Sequence, residues 1–301
     1  MYIADLFNKN NLFQNFGGWF RDTKASFFSQ FTRSKDSDLK TAWQSWKNET
    51  QIFETFLGFA TSVIININQI KLLEKKCILQ FKILESQLNL LENRIIFWSY
   101  KLVNLLSKIS PVINSIRIME NLLLELISKN IGHFLPQNMD ILIKNGSKSY
   151  QFLPIDLWDK IEQYWNKTGK LLSNYSNLEF YLFSLTTHSY LEISPKKRIL
   201  VLLPDNPEID NSQKFVYNNN LDAISFLRNS FEDFHCLVED ISLYFGYEPT
   251  YILQGWSFIE YQNLPGKRGT VALIIKDPKK NKGIEIIREA GKPIFNKVSA
   301  T

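Results

Sequence analysis

From Asn48 to Ile109 the chain has no proline and a single glycine, Gly58, and its apolar residues recur at alternating spacings of four and three. The row runs Phe56, Ala60, Val63, Ile67, Ile70, Glu74, Cys77, Phe81, Leu84, Leu88, Leu91, Ile95, Trp98, Leu102, Leu105 and Ile109. Fifteen of these sixteen positions are apolar or nearly so, and only Glu74 breaks the rule. A 3.5-residue period held this long specifies a helix laid against a partner along a left-handed seam. Unbroken, about 60 residues of helix would reach about 90 Å. Ile78, Ile83, Leu90, Ile96, Phe97, Val103 and Leu106 widen the stripe. A two-stranded coiled coil carries charge on those flanks, so a broad stripe points to a bundle. Phe81, Leu84, Leu88, Leu91, Ile95, Trp98, Leu102 and Leu105 are its candidate partner seam.

The elements around this run follow from its breakers. Ser110-Pro111 ends it, with Ser110 as N-cap and Pro111 in the first turn of a helix Val112 to Ile131 that stops at Gly132. Asp140 to Ile143 reads as a short strand. A helix follows Pro154 and breaks at Gly169, and a second covers Asn177 to Leu191. Arg198 to Leu203 is a short continuous apolar run and reads as a buried strand. Asn220 to Tyr247 is a helix closed by Gly246. Trp256 to Gln262, Thr270 to Lys276 and Gly283 to Glu289 read as strands. The fold class is mostly α, with a long-helix bundle or coiled-coil-like N-terminal part and a smaller C-terminal α+β unit. Four segments result: 1–47, aromatic and basic; 48–134, the long helix and its successor; 135–195, connector and helices; 196–301, the α+β unit.

Residues 1–47 hold ten Phe and Trp side chains, and Gly17-Gly18 divides them into two short helices. Phe16, Trp19, Phe20, Thr23 and Phe27 share a helical stripe, with Arg21, Lys24 and Arg33 off it. An interfacial membrane helix has this pattern, but Asp5, Asp22, Asp36 and Asp38 dilute the charge, so packing on the rest of the protein is the stronger reading. No window has the about 18 to 20 uninterrupted apolar residues of a spanning helix. The nearest, Ile52 to Ile70, has an apolar centre of ten residues, Phe56 to Ile65, and reads as a core helix. Asp5 and the missing apolar run exclude a secretory signal, and a cytoplasmic location is expected.

Chemical motifs are weak. Two cysteines, Cys77 and Cys236, exclude a disulfide scaffold, and His133, His188 and His235 lack paired ligand spacing. His235 and Cys236, adjacent on a helix, point about 100° apart and cannot act as a thiol–imidazole pair. Gly266-Lys267 lacks the flanking residues of a phosphate loop. No catalytic, cofactor or metal residue is assigned.

Charge is uneven. Residues 265–301 carry nine basic against three acidic residues, in a chain of net charge +5. Lys267, Arg268, Lys276, Lys279, Lys280 and Lys282 are the candidate contacts to phosphates or an acidic partner. The sequence therefore predicts a non-enzymatic assembly or adaptor protein, a subunit of a larger complex, with a protein partner or self-association along the seam. Two alternatives stand beside it. One is a membrane-perturbing protein inserting residues 52–70 or the aromatic N-terminus. The other is a nucleic-acid-associated subunit using the basic residues of 265–297.

Overall fold

The apolar run is helical for its first part and then changes structure. In the computed structural model, α1 spans Leu39–Glu85, starting nine residues before the expected boundary and reaching about 70 Å. The row is buried through Phe56, Ala60, Val63, Ile70, Cys77 and Phe81, with Ile67 and Glu74 half-buried. Beyond α1, Arg94–Ile96 form strand β1, and Tyr100–Leu106 form helix α2. The expected single helix to Ile109 is thus corrected. Ile95 and Ile96 are β-branched, and β1 pairs antiparallel with β2 (Ser189–Glu192). Hydrogen bonds from a segment almost a hundred residues away override the local period. Ser99 then starts α2, its side chain accepting the N–H of Leu102 at 3.1 Å.

The structure describes residues 7, 11–20, 22–23, 39–85, 93–96, 98–176, 185, 187–194, 196–209 and 211–249, together with the strands 256–258, 271–277, 282–289 and 292–299; for 39–47, 49, 84–85, 212 and those four strands the description is of backbone alone. The described residues are mostly helical, with two antiparallel sheets. The chain divides into two compact units, one of 1–55 with 238–301 and one of 56–237.

In the unit 56–237, α3 (Ile109–Ile131) buries Ile109, Val112, Ile113, Ile116, Met119 and Leu123 along one face. Its cap is Lys108 rather than Ser110, Pro111 sits in the first turn as expected, and Gly132 closes it with φ 71°. Residues 139–145 form helix α4 (Met139–Asn145) where a strand was expected. Asn138 explains the difference, since its side chain accepts the Asp140 N–H at 2.6 Å and caps the helix. Helix α5 (Ile155–Tyr164) passes into α6 (Lys170–Tyr175) through a π-helical turn, Trp165–Gly169. Gly169 does not break the helix there. A Cβ on it would lie 2.8 Å from the Trp165 ring, so the residue is small because of packing. Residues 177–184, most of the expected second helix, lie outside the described residues, and its end is strand β2.

Strand β3 (Arg198–Val201) pairs with β2, giving the order β1-β2-β3. One set of its N–H groups faces away from β2 and needs other acceptors. Ile199 N–H donates to Glu74 Oε1 at 3.2 Å, and Val201 N–H to Asp222 Oδ1 at 3.3 Å. Glu74, the one polar residue in the apolar row, thus closes a strand edge. The row is covered by several elements of the same chain: Phe56 stacks with Phe234 of α7 (Ala223–Tyr244), Glu74 meets β3, and the Cys77 thiol bonds Ser99. Burial pushes that thiol upward from its ordinary pKa.

In the other unit, residues 14–20 are helical straight through Gly17-Gly18, so the expected break is absent. Gly18 is there for space: a Cβ would lie 1.9 Å from the Glu248 carbonyl oxygen. Phe7, Phe13, Phe16, Trp19 and Phe53 are buried, and Trp19 stacks on Tyr247 at 5.2 Å. The aromatic stripe therefore packs inward at Phe16 and Trp19, while Phe27 lies outside the described residues. Glu239 accepts the N–H groups of Asn15 and Phe16 at 3.0 and 3.3 Å and caps this short helix. Four C-terminal strands, β4 (Trp256–Phe258), β5 (Val271–Asp277), β6 (Lys282–Glu289) and β7 (Lys292–Ser299), form a meander. The ladder aligns Phe258, Leu273, Ile286 and Phe295 in one row. Strand β7 was not anticipated.

Candidate functional site

Of the eight residues of the partner seam assigned from sequence, five have described side chains. Phe81, Leu102 and Leu105 are buried, Ile95 is half-buried, and Trp98 is 71% exposed. Leu84 belongs to α1, but its side chain, like Leu88 and Leu91, lies outside the described residues. Of the basic candidates, Lys276 and Lys282 fall on β5 and β6, opposite Gly283 and Asp277 in the ladder. Lys267, Arg268, Lys279 and Lys280 lie outside the described residues.

The opposite side of α1 holds a row that the seam reading missed at Ile65, Leu72 and Leu79 and misplaced at Ile83, which it had set beside the stripe. Ile65, Leu72, Leu79 and Ile83 are between 46 and 74% exposed. At 100° per residue they fall in one row, about 180° round the helix from Phe56, Val63, Ile70 and Phe81. Every exposed charged side chain between residues 56 and 83 is a lysine: Lys71, Lys75, Lys76 and Lys82. Glu74, the acid in that stretch, is half-buried and engaged by Ile199. Trp98 and Tyr100, 71 and 81% exposed, flank the Ser99 that bonds Cys77, a residue on the buried side of α1 and not in this row. Among the described residues, α1 also supplies the one helix long and apolar enough to cross a membrane, Thr50–Ile83, with 39% of its most apolar window buried. The signal was present in the sequence as apolar residues off the main row with lysines beside them.

A second constellation lies inside α3 to α6. Arg117 Nη1 donates to Glu120 Oε2 at 2.5 Å, and Nη2 donates to Asp140. Tyr164 Oη donates to Glu120 Oε1 at 2.5 Å, and Ser173 Oγ to Asp140 Oδ1 at 2.7 Å. The Arg117 guanidinium lies 5.8 Å from the Trp165 ring centroid, at the π-helical turn. Glu120 is fully buried, and burial pushes its carboxyl up to about 7 against the pull of Arg117 and Tyr164. Burial, followed by the Glu120 charge, pushes the Tyr164 phenol well up. All polar atoms named here are satisfied by one another, as in a network that fixes helix positions.

The Glu120 shift makes stability depend on pH. Its pKa is raised in the folded chain, so the folded state binds more protons than the unfolded one between pH 4.5 and about 7. Its contribution is most favourable below 4.5 and is lost as pH rises to about 7, an expected fall on the order of 2 to 3 kcal/mol. Urea unfolding across pH 4.5 to 8 should show this fall in the wild type and lose most of it in Glu120→Gln. Equal pH profiles in the two proteins would disprove the assignment.

The histidines make ring contacts or are enclosed. His133 stacks on Phe152 at 4.6 Å, His188 on Tyr217 at 3.8 Å, and burial lowers the His235 pKa. Among the described residues no group of three or more His, Cys, Asp and Glu side chains gathers as a metal site. No protein family, curated protein or solved structure matches the chain.

Proposed function

We propose that this chain is a non-enzymatic assembly or adaptor protein that docks on a larger assembly, protein or membrane, through the outward face of α1. The observation that carries the reading is the exposed row Ile65, Leu72, Leu79 and Ile83 on a helix whose other face is already covered by its own chain. Exposed apolar side chains in line on one element are characteristic of an interaction surface. The helices around α3 act in this reading as a bundle-like scaffold that holds α1 rigid, with the Arg117–Glu120–Tyr164 network fixing their positions.

The test is fractionation from native cells. Wild-type protein should enter a stoichiometric complex or a sedimenting fraction. Leu72→Ser/Leu79→Ser/Ile83→Ser, altering exposed side chains alone, should remain free with an unchanged circular dichroism spectrum. If wild type and variant both run as the free monomer, or both enter the same complex, the docking face is misassigned.

A further inference from the structure

We infer that the surface covering the outward face of α1 is an anionic lipid bilayer, with the helix lying in the headgroup plane; this rests on the docking reading above. Charge is the first argument. Lys71, Lys75, Lys76 and Lys82 supply all the exposed charge of residues 56–83 and outnumber the one exposed acid just before them, Glu54, so the complementary surface is negative. The second is the texture of the row. Asn68, Gln69, Lys75 and Lys76 interrupt the apolar residues turn by turn, leaving too few knobs for an interlocking partner helix. A headgroup layer accepts that texture. Leucine and isoleucine enter the acyl boundary, while lysine stems lie along it and place their ammonium groups among phosphates.

The helix lies on the bilayer and does not cross it. Crossing would strip Phe56, Val63, Ile70, Cys77 and Phe81 of their cover in the folded chain. It would also pull Glu74 from the Ile199 N–H and carry its carboxylate into hydrocarbon.

Vesicle flotation of the full chain tests this. The wild type should float with phosphatidylcholine vesicles carrying about a third phosphatidylserine and stay down with phosphatidylcholine alone. Flotation should fade as salt shortens the screening length from about 10 Å to about 3 Å, a readout that needs no variant. Lys71→Glu/Lys75→Glu/Lys76→Glu/Lys82→Glu should weaken partition at least about a hundredfold, since each lysine near such a surface contributes about fivefold. Failure to float with either vesicle overturns the lipid assignment. The docking reading survives that result if native fractionation still shows a protein complex lost in the triple serine variant. Salt-independent flotation, or equal flotation of wild type and lysine variant, also overturns the assignment. If the triple serine variant, too, both floats and fractionates like wild type, the docking reading fails with it.

Discussion

Replacing Arg117 with Met is expected to cost about 3 to 5 kcal/mol at pH 8, the penalty for leaving a buried charge without its partner. Glu120 is fully buried, and Arg117 is the cation that meets it. Without the guanidinium, Glu120 must either stay ionised in the core or take up a proton. Its pKa, already about 7, moves further upward, so the loss should shrink at pH 5, where the carboxyl is protonated in the folded wild type as well. Asp140 also loses a partner but keeps the Ser173 hydroxyl and some solvent. The companion variant Arg117→Met/Glu120→Leu/Tyr164→Phe removes the charges and the orphaned phenol together, and it should recover most of the stability. Denaturant titration at both pH values checks this. A single variant costing less than about 1 kcal/mol at pH 8 would show that the network is not what holds α3 to α6 in place.

That network was invisible in the sequence because its members are spread over 57 positions, from Arg117 to Ser173, and only the fold brings them together. Within a helix, periodicity served better. The row from Phe56 to Phe81 was legible because burial on one helix face leaves a 3.5-residue trace. The same arithmetic failed beyond Glu85. Ile95 fits a helical row and a strand equally well, and the pairing Ile95 with Leu191 is a long-range decision. Asn138 ahead of Asp140 was a local cue, a cap, that outweighed the strand-like Ile141-Leu142-Ile143.

Polar exceptions carried more information than the apolar rule. Glu74 looks like a defect in the seam until β3 is in place with an N–H pointing at it. The outward row of α1 was overlooked for a related reason. A search for the most continuous apolar stripe finds the face that is buried, and a docking face is the less continuous one, mixed with lysines. The part of that stripe from Phe56 to Phe81 is already covered by the chain itself.

Two glycines on helices should respond to the same substitution with opposite signs. Gly18→Ala is expected to destabilise by roughly 3 kcal/mol, the upper end for overpacking. Its Cβ would lie 1.9 Å from the Glu248 carbonyl oxygen, a backbone atom that cannot swing aside as a side-chain tip can. Relief requires moving the helical residues 14–20, which would disturb the Phe16–Phe53 contact and the Glu239 cap together. Gly58→Ala meets nothing within 4 Å, because Gly58 sits on the exposed side of α1. An alanine there restricts the unfolded chain and favours the helix, so stability should rise by about 0.5 to 1 kcal/mol. Both are read by thermal and denaturant unfolding under one buffer condition. Gly18→Ala as stable as wild type would mean that residues 14–20 do not approach residue 248 so closely. A destabilised Gly58→Ala would mean that α1 bends or is covered at that turn.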